Sequence, residues 1–409
     1  MKKRIPDIVI YLFVFVSLFV TNPVSNLFGL PSRVFTFSFL LLAVVFIPAI
    51  WQGIIKVSNL QIQFVLVISA LLILFKMSLG QSYTKEVILF SVVPIVATLV
   101  FSKNEQRHRK LFRILVFVFY FLECALAIIE RSLNVNLLPF EMVEDVVEFY
   151  NMRGETFEFR STALLGHPLV NSLIVSMLTA FIVTDKTISL WGRSLLFSIG
   201  YVALLCFNGR AALIVVSVLL IPYLSHEIVK KSRKPFISFF VVIAVVAGLF
   251  MVLYDSDLGG RLVKEGFDDD SSRSRLLAFN FYKHITTYDL WIGGHGLYNR
   301  VATALHTSGV ENGVVCVILN YGLFFAVALL AALIAFHWKL LSVYSKSSRL
   351  IILLVFFIIG SSNPNLSLSS CWLYWVIFYF AFAPISGFDK PSVRKKKSKD
   401  KRFRSISNL

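Results

Sequence analysis

The sequence predicts an all-α, polytopic integral membrane protein with about 12 transmembrane helices and two long loops on one side. Three observations carry this. Hydrophobic residues fill 57% of 409 positions and charged residues only 15%, against about half and a quarter in soluble chains. Mean hydropathy is +0.77. The apolar residues are gathered into runs of about 17–25, the length that crosses a hydrocarbon core of ~30 Å. Helices are the spanning structure such runs support, because each satisfies its own backbone groups.

In chain order the spans are read at roughly 6–21, 34–51, 60–78, 86–102, 111–129, 166–184, 192–208, 210–224, 235–254, 311–336, 350–361 and 369–386. "MKKR" precedes the first apolar run, and no small-residue cleavage pair follows it, so an uncleaved span is expected. Spans seven and eight meet in "LLCFNGRAALIVV" at 204–216 with almost no loop. Residues 1–389 form the membrane domain, and 390–409 form a basic tail.

Orientation follows from Lys and Arg in the loops. "MKKR", "KNEQRHRK" at 103–110, "HEIVKKSRK" at 226–234, "HWKLLSVYSKSSR" at 337–349 and the tail "KPSVRKKKSKDKRFR" all fall on one side, expected to be the cytoplasm. The net charge of +17 is therefore mainly a topology signal. A solvated tail near anionic lipid explains the last basic run better than nucleic-acid binding. The opposite side carries loops at about 130–165 and 255–310. The first is acidic, with Glu141, Glu144, Asp145, Glu148, Glu155 and Glu158. Long loops on a compact scaffold usually carry function, so the working face is expected opposite the basic side.

Cys124, Cys206, Cys316 and Cys371 lie in or at apolar spans without CxxC spacing, which argues against disulfides and zinc. There is no internal repeat, Walker A motif or GxGxxG. His284, His295 and His306 match no standard metal spacing. No cofactor is expected.

Several polar residues gather at the expected outer face. Arg210 opens span eight in "FNGRAA". A cation inside a membrane segment is costly unless it is paired or facing water; a snorkelling interfacial arginine is the plain alternative. "RSTALLGHPLVNS" places Arg160, His167 and Asn171 at the entry to span six, with Pro168 suited to a first helical turn. Arg273 and Arg275 open an amphipathic segment whose Leu276, Leu277, Phe279, Phe281 and Tyr282 suit a membrane surface. Glu311 and Asn312 open span ten, where a carboxylate also simply suits a helix start. "WIGGHGLYN" is a glycine-rich turn holding His295, outside the strand–loop–helix setting of a phosphate loop. Arginine's fork of donors suits phosphate oxygens. A lipid-linked diphosphate would use this face fully: a tail in the bilayer, phosphates at the interface and a polar head outside.

In "RSTALLGHP", "CFNGRAALI", "SRLLAFNFYKHI…LWIGGHG" and "ENGVVCVILNYGLFFA" the chain resembles the O-antigen ligase/polymerase superfamily, in particular Wzy-type bacterial polysaccharide polymerases. In motif terms the resemblance covers about 155–335. It implies metal-independent glycosyl transfer from an undecaprenyl-diphosphate-linked oligosaccharide at the periplasmic face of a bacterial inner membrane. A chain-length regulator and a flippase are the partner proteins that accompany this implication. The family arginine that opens a span falls on Arg210, and its loop arginine falls on Arg275, with Arg273 as rival. Glu311 stands where the ligases carry histidine, and this tilts the reading from ligase to polymerase. The implied catalytic residues are Arg210, Arg275 and Glu311, with Arg160, His167, Arg273, Asn312 and His295 binding substrate. The alternatives are a ligase acting on lipid A core or protein, and a transporter or flippase for lipid-linked sugars. A transporter is expected to show internal repeats and broken helices with polar groups near mid-membrane.

Overall fold

The computed structural model describes residues 7–29, 60–81, 84–102, 105–138, 159–231, 275–294, 296–305, 309–362 and 369–383, with a few positions between 43 and 48. The regular structure of these residues is all helical, and no strand occurs among them. Nearly all of the expected span at 34–51, the span at 235–254, residues 139–158 and 255–274 of the two long loops and the tail at 390–409 lie outside the described residues.

Helix α1 spans Asp7–Phe19, and α2 is the short Asn22–Leu27. Helix α3 spans Leu60–Ser78. Helix α4 runs through Thr84–Val87, a π turn at Ile88–Val92, and Val93–Phe101. That turn directly precedes Pro94, which has no N–H to give the ladder. Helix α5 is the long Glu105–Leu133. Then come α6 (Pro168–Thr184), α7 (Leu190–Phe207) and α8 (Arg210–Lys231). After a 3₁₀ turn at Phe279–His284, two short helices follow: α9 (Thr287–Ile292) and α10 (Leu297–Ala304). The chain ends in α11 (Gly313–Tyr321), α12 (Leu323–Leu340), α13 (Lys346–Ser361) and α14 (Ser369–Phe382).

Helices α3, α5, α7, α8 and α12 are long and apolar enough to cross a membrane. The burial pattern is that of a protein dissolved in hydrocarbon. On α3, Leu60, Phe64, Val67, Leu71 and Leu74 form an exposed stripe, while Val65, Ser69, Leu72 and Lys76 are buried. Glu123, Glu130 and Arg193 are fully enclosed. Charged groups inside and large apolar groups outside reverse the soluble rule, and they fit apolar surroundings.

Polar contacts sort the helix ends onto two sides. On one, the Arg113–Asp185 ion pair at 2.9 Å ties α5 to the end of α6. Arg193 of α7 donates to Val183 O at 2.9 Å and stands 3.8 Å from Glu227 of α8. Tyr223 and Ser348 join α8 to α13 at 3.1 Å. On the other side, Glu130 near the end of α5 meets the segment entering α6. There Thr21, just beyond α1, also donates to Leu164 O.

The sequence expectation for span ten needs correction. Instead of one helix over 311–336, the structure has α11 and α12, broken at Gly322 with φ +83° and ψ 153°. This conformation is essentially glycine-only. A Cβ there would stand 2.1 Å from Trp291 O, and one on Gly293 would stand 2.3 Å from Gly322 N. The two glycines let the 291–294 backbone press directly on the break. Glu311 and Asn312 therefore open a short separate helix, and the apolar length begins at Leu323.

Candidate functional site

The first part of the site is "RSTALLGHP". Two carboxylates of α5, one helical face apart at 123 and 130, hold it. Glu130 Oε2 accepts from the backbone N–H of Thr162 at 2.8 Å and of Ala163 at 2.9 Å, and its Oε1 accepts from Leu137 N at 3.0 Å. Glu123 Oε2 accepts from Leu164 N at 3.1 Å. Ala163 takes φ +38°, so this tight turn leans on those hydrogen bonds. Ser161 donates through Oγ to Ala127 O and through N to Cys206 O, which locks the turn between α5 and α7. Arg131 donates to Phe159 O.

Arg160 sits at the start of this turn, partly buried, and its Nε is enclosed without a hydrogen bond. His167 sits at its end as the N-cap of α6, with Nδ1 accepting from Leu169 N at 3.2 Å. Burial lowers the His167 pKa below the ordinary imidazole value, and the neutral ring is the form that accepts this bond. Asn171, on the first turns of α6, is fully buried and donates to Thr162 O.

The second part is the junction of α7 and α8. Asn208 closes α7 in the left-handed conformation at φ 52°, which asparagine tolerates better than most residues. A Cβ on Gly209 would stand 2.2 Å from Ser172 Oγ of α6. Only glycine lets this junction reach α6, and Arg210 follows immediately. Arg210 is 7% exposed, so its side chain is enclosed rather than extended to solvent as snorkelling requires.

The third part is a small satellite core around α10 and α11, built from Ala278, Leu297, Val301, Val310, Val315 and Leu319. One link seats it on the bundle, and a second ties the glycine-rich turn to α11. Lys76 of α3 donates to Ile292 O at 2.6 Å, and Gly294 N donates to Leu319 O at 3.0 Å. The glycine-rich turn "WIGG" thus serves a backbone-to-backbone junction. Leu276, Phe279, Tyr282, Tyr288 and Trp291 point outward, exposed. Residues three apart eclipse in a 3₁₀ turn, so Phe279 and Tyr282 align. Phe281, expected with them at a membrane surface, packs inward on the satellite core.

On this satellite core, Arg275 Nε stands 3.5 Å from Glu311 Oε2, each side chain about a quarter exposed. The structure thus brings together two site residues distant in sequence. Asn312 is the N-cap of α11, and its Oδ1 accepts from Val314 N at 3.1 Å and Val315 N at 3.0 Å. That use leaves only the Asn312 amide NH₂ for a ligand. Arg273 and His295 lie outside the described residues, as does His306. His284 is exposed at the end of the 3₁₀ turn. The four cysteines are buried free thiols.

Sequence reasoning passed over Glu123 and Glu130, which do most to shape the first part. Their signal was present: two carboxylates seven residues apart in the apolar run "FLECALAIIER", a spacing that puts both on one helix face. Lys76, a lone cation near a helix end, was passed over too. No family model, curated protein or solved structure matches the chain.

Proposed function

We propose that the protein is a polysaccharide polymerase that joins undecaprenyl-diphosphate-linked oligosaccharide repeat units at the outer face of a bacterial inner membrane. The observation that carries this reading is the Arg275–Glu311 pair at 3.5 Å, beside a surface rimmed with exposed aromatic residues. In the proposed step an acceptor hydroxyl attacks the anomeric carbon of the donor sugar. The bond from that carbon to the diphosphate oxygen breaks, and the diphosphate leaves with the electron pair. Glu311 takes the hydroxyl proton as general base. Arg275 and Arg210 stabilise charge on the departing diphosphate, as preorganised cations do in phosphate chemistry. Substrate phosphate entering beside Arg275 draws the guanidinium from Glu311 and leaves the carboxylate to act.

A second reading, transport of lipid-linked sugars, draws support from the helix break at Gly322 and from the enclosed Lys76, Glu123 and Arg193. The test is direct. The purified chain, given lipid-linked repeat units in the presence of a chelator, is expected to form longer lipid-linked glycans and to free the donor's lipid diphosphate. Transbilayer movement of the lipid without chain growth would favour transport. Activity lost in chelator and restored by one metal would end the metal-independent mechanism.

A further inference from the structure

The turn between α5 and α6 encloses three side-chain oxygens that make no hydrogen bond: Glu123 Oε1, Thr162 Oγ1 and Asn171 Oδ1. Their residues are 0%, 1% and 0% exposed. Hydrogen bonds through other atoms of the same residues tie all three to this one turn. Asn171 Nδ2 donates to Thr162 O at 2.5 Å, and Thr162 N donates to Glu130 at 2.8 Å. Glu123 Oε2 accepts from Leu164 N, two residues further along the same turn. Glu123 makes no ion pair among the described residues.

An enclosed carboxylate with one hydrogen bond and no countercharge is costly. Buried polar atoms without partners call for an explanation, often an unseen water or ion. A water would satisfy two of the oxygens, and a proton on Glu123 would remove its charge; a bound cation would partner all three oxygens and balance the charge at once. The available donors are hard oxygens, the ligand class of hard cations. One carboxylate and two neutral oxygens balance a single positive charge, which favours an alkali cation over a divalent one. We propose that Glu123, Thr162 and Asn171 form an enclosed binding site for a monovalent alkali cation, which braces the turn bearing Arg160 and His167. The site is independent of the glycosyl-transfer reading.

The test uses the full chain, purified in detergent, and its unfolding midpoint in equal concentrations of sodium, potassium, lithium or choline chloride. The midpoint is expected to rise saturably with one alkali cation relative to choline. Glu123→Gln keeps an acceptor for Leu164 N and is expected to abolish that selectivity, as is Asn171→Leu. Thr162→Val provides the same reading should either variant fail to fold. Glu130→Gln is expected to lower the midpoint while preserving the cation response, because Glu130 already has its partners. An equal midpoint in every salt would mean a water or a proton at Glu123 and would overturn the proposal. So would a full alkali response in Glu123→Gln and Thr162→Val.

Discussion

At the residue scale, magnitudes separate structural from chemical roles. The Arg275–Glu311 pair is partly exposed, and such pairs contribute only about 0–1 kcal/mol to stability. Loss of a general base costs roughly a hundredfold or more in turnover. Glu311→Gln is therefore expected to leave the unfolding midpoint nearly unchanged while collapsing glycan synthesis. Parallel melting and glycan-ladder measurements check this, and near-normal ladders would reduce Glu311 to a helix-start carboxylate. Glu130 behaves oppositely. Its carboxylate accepts three backbone N–H groups, and Glu130→Ala leaves those of Thr162 and Ala163 buried without partners at about 1–3 kcal/mol each, so a marked loss of folded protein is expected. His167 sets a pH dependence. Its folded pKa lies below the unfolded value of about 6.5, so the unfolded chain binds the extra proton first. Stability is expected to be full above that value and to fall as pH drops through it. His167→Asn keeps a capping acceptor and is expected to flatten this acid limb of a melting-versus-pH curve.

At the element scale, two glycines with left-handed φ make a contrast. Gly322 has φ +83° and Trp291 O in the way of any Cβ, whereas Gly296 has φ +79° and nothing within 4 Å. Gly296→Ala is expected to cost about 1–2 kcal/mol of backbone strain. Gly322→Ala adds a backbone clash, and its yield of folded protein is expected to fall far below that of Gly296→Ala. Hydropathy and length made the apolar helix Leu60–Ser78 legible, and it coincides with the span read at 60–78. The nearly loopless meeting of α7 and α8 was legible in "FNGRAA" too. The break at Gly322 was not. "NYGLFFA" reads as a continuous apolar run, and only the distant 291–294 backbone makes a left-handed glycine necessary there. The role of Asn312 was hidden for a different reason, since a cap and a ligand contact call for the same side chain.

At the whole-molecule scale, helix ends sort onto two sides, one with the ion pairs around Arg113 and Arg193, the other with the candidate site. The proposed topology places the first side in the cytoplasm. Single cysteines at 145 and 265 are expected to react with an impermeant thiol reagent in spheroplasts, and one at 230 is not; the reverse pattern would invert the orientation. Much of the site was named from sequence, yet its assembly was not, because Arg275 and Glu311 meet only through the satellite core. The role proposed for this assembled pair is glycosyl transfer. The most direct measurement is single-turnover extension of a lipid-linked repeat unit by the full chain in bilayer discs, comparing wild type with Arg275→Lys and Glu311→Gln. Elongated product is expected from wild type and roughly a hundredfold slower extension from each variant, with unchanged melting. Extension by both variants at the wild-type rate, or none by folded wild type, would contradict this role.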